Sequence, residues 1–266
     1  MKKPLVSIII PTFNRSEFVL SAVKSALNQT YKNIEVIVVD DFSTDDTFKV
    51  ISKLRSKKLK VFRNAKNSGG PFSRNKGLSL AKGEFINFLD DDDYLYPKKI
   101  ELQVKKFLSS SKKDLGVVTC DVKYERLDLS EVKKNRKKGR IYKDLLKSYC
   151  VFATHSMLIK KVFLDDIGGF DLKLASNQEY DLAIKLSKYS DFDYVPKVLC
   201  EVKESKDQIS FNFNKKIKGT KYLYEKYKNE YKKHGLFLFN YLRFSYLLFK
   251  YRIGKYLGKK VYLLFP

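Results

Sequence analysis

The 266-residue sequence predicts an α/β fold, with a mostly parallel central sheet flanked by helices and a C-terminal helical extension. Three observations carry this expectation. Short apolar runs, Val6-Ser7-Ile8-Ile9-Ile10, Glu35-Val36-Ile37-Val38-Val39 and Phe85-Ile86-Asn87-Phe88-Leu89, recur with helix-patterned segments between them. Such alternation implies parallel strands joined by right-handed crossovers. Two of the runs end in acids, Asp40-Asp41 and Asp90-Asp91-Asp92-Asp93, at the strand end where open α/β sheets bind ligands. From 215 to 266 the chain changes character, with Lys and Arg outnumbering Glu 14 to 2 and aromatics interleaved throughout.

Taken in order, Val6 to Ile10 reads as a buried parallel strand that Pro11 stops. Asn14 with Glu17 three residues on resembles a capping box, and Phe18, Ala22, Val23, Ala26 and Leu27 fall on one helical face. After the second strand, Ser43 is placed to cap a helix with the stripe Phe48, Val50, Ile51 and Leu54. Lys60 to Arg63 is a short third strand. Gly69-Gly70 then reads either as a plain loop or as backbone brought close to a ligand. A helix over 73–81 leads to the strand that carries the four aspartates.

An unpaired carboxylate is too costly to bury, so the tetrad must emerge at the strand end. Four like charges there are relieved by protonation or by a cation, and carboxylates suit the hard ions Mg²⁺ and Mn²⁺. The same residues also read as an acidic turn before the helix announced by Pro97. Further on, 115–121 is strand-like, 123–147 is a polar basic stretch read as a loop, and Ser156 to Ile159 is strand-like, with His155 assigned no role.

Composition bounds the alternatives. Hydrophobic residues make up 44% of the chain and no Gly, Pro or Ser linker interrupts it, which argues against disorder. Cys120, Cys150 and Cys200 are odd in number and widely spaced, so no disulfide framework or zinc motif follows, and a reducing compartment is the natural inference. The first strand begins too early for a signal-peptide core, which points to a cytoplasmic catalytic part. A net charge of +24 calls for a polyanionic partner, with nucleic acid, anionic lipid and a charged substrate all open. Nucleic acid is not expected: the acidic cluster repels phosphates unless metal-bound, and the basic residues gather away from the strand-end loops.

The ordered segments Val6-Ser7-Ile8-Ile9-Ile10-Pro11-Thr12-Phe13-Asn14, Val38-Val39-Asp40-Asp41-Phe42-Ser43-Thr44-Asp45, Arg74-Asn75-Lys76-Gly77 and Phe88-Leu89-Asp90-Asp91-Asp92-Asp93 together resemble the motifs of family 2 glycosyltransferases. The resemblance covers roughly residues 5–210 and implies a Rossmann-like GT-A fold, a nucleotide-sugar donor and inversion at the transferred carbon. It implies a donor half over 1–114, an acceptor and catalytic half over 115–214, and the basic tail over 215–266. In the donor site it implies Phe13 stacked on the base, with Pro11 in the same loop, and Asp41 accepting the uracil imide N–H. Arg74, Asp90 and Asp91 would lie near the nucleotide, and Asp92 would ligate Mn²⁺ or Mg²⁺. Gly168-Gly169-Phe170-Asp171 and Gln178-Glu179-Tyr180-Asp181-Leu182 resemble the family segment whose second acid is the general base. That register makes Glu179 the base, with Asp181 the alternative, and puts Gln178 where the first acid of the pair stands. Where many members carry a histidine near the donor, this chain has Ser205.

The expected reaction is sugar transfer from a nucleotide-sugar, with UDP ahead of GDP or dTDP, to a glycan or lipid-linked hydroxyl in bacterial surface polysaccharide, lipopolysaccharide or glycan assembly. Nucleotidyl transfer on the same fold and nucleic-acid binding are the rival readings. The tail reads as a basic amphipathic element, either peripheral at the inner face of the cytoplasmic membrane or packed on the catalytic domain.

Overall fold

The computed structural model describes residues 3–126, 129–148, 152–203, 212–262 and 264; Cys150 and the 205–210 stretch lie outside them. The first half runs β1 (Val6–Thr12), α1 (Val19–Leu27), β2 (Ile34–Asp40), α2 (Thr47–Ser52), β3 (Leu59–Arg63), α3 (Gly70–Leu80) and β4 (Phe85–Phe88). The second half adds β5 (Asp93–Leu95), α4 (Lys99–Leu108), β6 (Leu115–Arg126), β7 (Leu129–Lys133), α5 (Tyr142–Lys147), β8 (Leu158–Lys160), α6 (Lys161–Asp166), α7 (Gln178–Tyr189) and β9 (Asp191–Lys203). Two long helices close the chain, α8 (Phe213–Lys233) and α9 (Phe237–Tyr262), the latter broken at Gly258, where φ is 86°.

One sheet is ordered β3-β2-β1-β4-β8-β6-β9-β5, with β7 paired to β6. Strands β3, β2, β1 and β4 are parallel, β8 is antiparallel to both its neighbours, and β5 is antiparallel to β9. The apolar runs of β1 and β2 are near-continuous because both sheet faces are covered. Side chains alternate across a strand: Ile8, Ile10, Val36 and Val38 join the core beneath α1 and α4, whereas Ile9, Ile37, Val39 and Phe88 join the core with α7 and α8.

Several local expectations are corrected. Strand β1 continues through Pro11, which pairs with Val39 of β2. On the other side β4 is in register only as far as Ile9, so the proline falls where one strand edge is open and its missing N–H disrupts no central ladder. Asn14 and Ser43 cap no helix, since α1 begins at Val19 and α2 at Thr47, neither with a side-chain cap. The 123–147 stretch is the β6–β7 hairpin followed by α5, and two of its arginines are paired: Arg136 with Asp121 at 2.8 Å and Arg140 with Asp114 at 2.7 Å. Asp93 belongs to β5 rather than to a turn. Cys120 and Cys200, 80 residues apart in sequence, are buried thiols with their Sγ atoms 3.7 Å apart where β6 runs beside β9.

The tail is part of the same core. Leu223, Tyr227 and Tyr231 of α8 and Phe244 of α9 are buried in one cluster with Ile9, Phe88 and Tyr180. No helix among the described residues is long and apolar enough to cross a membrane.

Candidate active site

The site is assembled from loops that leave the carboxyl ends of β1, β2 and β4. Asn14 in the first loop holds the second: its backbone N–H donates to Ser43 Oγ at 2.9 Å, and its Oδ1 accepts the Thr44 N–H at 2.8 Å. Both loops contain a left-handed residue, Asn14 with φ 51° and Phe42 with φ 67°. A third, Asn177 with φ 64°, directly precedes α7. These are the three non-glycine residues at positive φ among those described, and a bulky side chain there costs energy that the surrounding contacts must offset. Phe13 and Phe42 expose their rings at the loop tips.

Asp41 is buried and its carboxylate organises the neighbouring loop. Oδ1 accepts from Asn64 Nδ2 at 2.7 Å and from the Ser68 N–H at 2.9 Å, and Oδ2 accepts from the Gly69 N–H at 2.7 Å. Gly69 needs its φ of 88° to turn that amide inward, so the Gly-Gly pair is the pinned entry to α3 rather than a plain loop. A carboxylate offers about four lone-pair directions, so one remains on Oδ2.

Helix α3 delivers Arg74 to the centre. Its guanidinium donates to Asp90 Oδ1 at 2.6 Å and to Gln178 Oε1 at 3.2 Å, and lies over the Phe170 ring. Asn75 clamps Phe170 at both its N–H and its C=O. Gln178, the apparent departure from the acid pair of the family motif, therefore joins α3 to α7.

The four aspartates divide into two kinds. Asp90 is paired with Arg74, and although burial pushes its pKa up, the guanidinium holds it below the ordinary carboxylate range. Asp93 is buried against His155, with Oδ2 2.7 Å from Nδ1. Burial works against the imidazolium, but the Asp93 charge raises the His155 pKa above its ordinary value. Asp91 and Asp92 have no ion-pair partner among the described residues. Burial, with repulsion from Asp90, lifts Asp91 to about 6. Burial, with repulsion from Asp93, Asp90 and Asp91, lifts Asp92 to about 7. Asp90, Asp93 and His155 each bring one ligand atom within 4.8 Å of the others. Arg74 and His155 lie against those two carboxylates, whereas Asp91 and Asp92 feel the attraction of Arg15 without an ion pair among the described residues, so a divalent ion has most charge left to offset at Asp91 and Asp92. Sequence reasoning missed His155 because its partner lies 62 residues away, on a strand too short to announce itself.

Glu179 and Asp181 occupy the first turn of α7 but face different surroundings. Glu179 sits in the electrostatic field of Arg74 and Asp90; burial and Asp90 raise its pKa while Arg74 opposes them. Asp181 is buried against α8, with Oδ1 2.7 Å from Lys226 Nζ and accepting from Tyr227 Oη at 2.8 Å. Lys226 also pairs with Asp171 at 2.6 Å. Asp181 is thereby committed to the attachment of α8, and Glu179 is the α7 acid associated with the tetrad.

A sequence profile described as Glycosyl transferase family 2 matches residues 7–168. The chondroitin synthase of Pasteurella multocida (strain Pm70) is 35% identical over 197 residues, covering 73% of this chain and 20% of that protein. The UDP-Glc:alpha-D-GlcNAc-diphosphoundecaprenol beta-1,3-glucosyltransferase WfaP of Escherichia coli is 46% identical over 100 residues, covering 38% of this chain and 40% of that one. The chain thus spans about a fifth of the first relative and two fifths of the second. Among solved structures, the mannosyltransferase PcManGT from Pyrobaculum calidifontis in complex with GDP-Man and Mn2+ superposes with a TM-score of 0.66 at 18% identity, over 93% of this chain and 72% of that one. That likeness is one of fold, a GT-A-like sheet with flanking helices. Because the profile takes in every loop of the donor-side edge and more than half of the residues, the chain belongs to glycosyl transferase family 2.

Proposed function

We propose that this chain transfers a sugar from a UDP-sugar to a hydroxyl of a glycan or lipid-linked acceptor, with inversion and with a divalent metal, Mn²⁺ or Mg²⁺. The observation that carries the proposal is the division of the tetrad, in which Asp91 and Asp92 have no ion-pair partner among the described residues while Asp90 and Asp93 are paired within the chain. Asp92, raised to about 7 without an ion, is the metal ligand, and Asp91 stands beside it toward the donor. A bound divalent ion would neutralise charge on the departing diphosphate.

The chain's own groups do the rest. Phe13 presents an exposed ring for base stacking in the loop that follows β1, two residues beyond Pro11. The remaining lone pair of Asp41 receives the uracil imide N–H, and the loop it pins supplies backbone close to the nucleotide. Arg74, held by Asp90 and Gln178, supplies positive charge beside the diphosphate path. Glu179, whose pKa burial and Asp90 raise against the pull of Arg74 and whose basicity is raised with it, takes the hydroxyl proton as the acceptor oxygen attacks from the face opposite the leaving group. One base and one displacement give inversion. Residues 1–114 supply the donor half and 115–214 the acceptor half, and the tail holds the enzyme at the inner face of a membrane. The name of the WfaP relative, with a UDP-sugar donor and a diphosphoundecaprenol-linked acceptor, supports both the donor and the acceptor class.

The test is thermal stabilisation by UDP, GDP, dTDP and CMP, each with Mn²⁺ and with chelator. UDP alone should stabilise, by about 2.7 kcal/mol at a hundredfold excess over its Kd, only with metal, and Asp92→Asn should abolish the effect. Selective stabilisation by GDP would move the donor to the class seen in the PcManGT complex, and stabilisation by no nucleotide would refute the donor site. Glu179→Gln should keep UDP binding and lose roughly 10²–10⁴ in kcat.

A further inference from the structure

Outside the sheet edge, the strongest unexplained feature is a cleft of about 350 Å³ between α8 and α9. Its lining includes Ile217, Lys218, Lys221, Arg252, Lys255 and Tyr256. Four cations thus converge from two helices, and among the described residues no carboxylate pairs with any of them. The crowding continues on the flank of the cleft, where Lys216 is half-buried; burial and the neighbouring Lys250 depress its pKa to about 8. The four like charges that line the concavity are costly to hold together unless an anion fills it.

The face of α9 beside this cleft is apolar and exposed. Its inner residues Asn240, Phe244 and Tyr251 pack inward. On the outer side Leu238, Leu242, Tyr246, Phe249 and Tyr256 are each 40% or more exposed. At 100° per residue these five fall within an arc of roughly 80°, with Arg252 and Lys255 along one border. Beyond Glu230 the chain has no acidic residue, so a second copy laid on this face would set cations against cations. An apolar stripe bordered by cations, on a helix that cannot span, has the polarity of a bilayer interface, with acyl chains beneath and phosphates alongside.

We propose that the α8–α9 cleft binds the phosphate of an anionic phospholipid headgroup, with α9 lying in the interface and its Leu238-to-Tyr256 stripe turned toward the acyl chains. The assignment rests on the membrane placement given above and is independent of the transferase chemistry. It differs from attraction by overall charge in naming a discrete site, so that position and not only number of cations matters.

Co-sedimentation of the full chain with phosphatidylcholine vesicles, and with vesicles containing phosphatidylglycerol, tests it. The chain should bind only the second kind. Each cation near an anionic surface contributes about 1 kcal/mol, or roughly fivefold in affinity. The pair Lys221→Gln/Arg252→Gln should therefore weaken binding roughly 25-fold, while Lys53→Gln/Lys57→Gln, the same charge change on the far α2–β3 surface, should weaken it far less. All four side chains are exposed, and unchanged melting of both variants verifies that folding is intact. Equal loss in the two pairs would overturn the cleft assignment and leave membrane attraction by net charge. Absence of binding to either vesicle, or retention on DNA in its place, would overturn the membrane placement as well. Displacement of the chain from vesicles by inorganic phosphate at concentrations matching the lipid phosphate would show a site for soluble phosphate and overturn the headgroup assignment.

Discussion

At Asp92, the proposed metal ligand, charge and stability are linked. Its folded pKa of about 7 lies well above the ordinary carboxylate value, so between those two pH values the metal-free folded state holds a proton that the unfolded chain has released. Stability therefore falls as pH rises through that window, and the contribution is fully lost above about 7. The distance between the two values corresponds at most to about 4 kcal/mol. Because its neighbours titrate with it and relieve part of the repulsion, roughly 2 kcal/mol is expected. Asp92→Asn should stabilise the chelator-treated protein by that amount at pH 8 and by almost nothing at pH 4, measured by urea denaturation across pH. Added Mn²⁺ should reverse the ranking at pH 8, because the ion stabilises only the chain that keeps the carboxylate. The tetrad itself was legible in sequence, since four carboxylates after a buried run have no place but a strand end. Its division into paired and unpaired members was not, because Arg74 and His155 reach Asp90 and Asp93 from elements 16 and 62 residues away.

At the level of elements, the packing of α7 on α8 separates two acids that sequence alone leaves as alternatives. Lys226 bridges Asp171 and Asp181, Lys185 approaches Asp181 to 3.9 Å, and Tyr227 donates to Asp181. Removing one member of a buried ion network leaves an uncompensated charge and costs roughly 3–5 kcal/mol. Lys226→Met should lower unfolding free energy by about 3 kcal/mol in urea, with the larger loss at pH 7 than at pH 4, where Asp171, which Lys226 helps hold below the ordinary carboxylate range, can protonate. The β-branched runs of β1 and β2 announced themselves because both sheet faces are covered, which leaves nearly every position apolar. The failures were at the ends. Asn14 and Ser43 have the chemistry of helix caps but spend it on each other's loops, a long-range use that outcompetes a local one. The 123–147 stretch hid a hairpin and a helix because Arg136, Lys137 and Arg140 find partners in Asp121, Asp144 and Asp114, and charge density alone reads as a solvated loop.

For the whole molecule, the two terminal helices are structural members of the catalytic core as well as the carriers of an uncovered basic face. Leu223, Tyr227, Tyr231 and Phe244 are buried with β1 and β4 residues, so the composition break at residue 215 marks a change of surface and not a point of separation. The contact between Cys120 and Cys200 gives the molecule a chemical clock. Both thiols are wholly shielded and belong to adjacent strands of the second half of the sheet. In a Cys150→Ser background, a thiol reagent reaches them only when β6 and β9 part, so labelling rate reports that opening directly. If the two halves of the sheet unfold together, labelling and loss of circular dichroism should share one denaturant dependence. Faster labelling that is slowed by UDP and Mn²⁺ would mean that the β6–β9 part of the sheet opens by itself and that occupancy of the proposed donor site latches it.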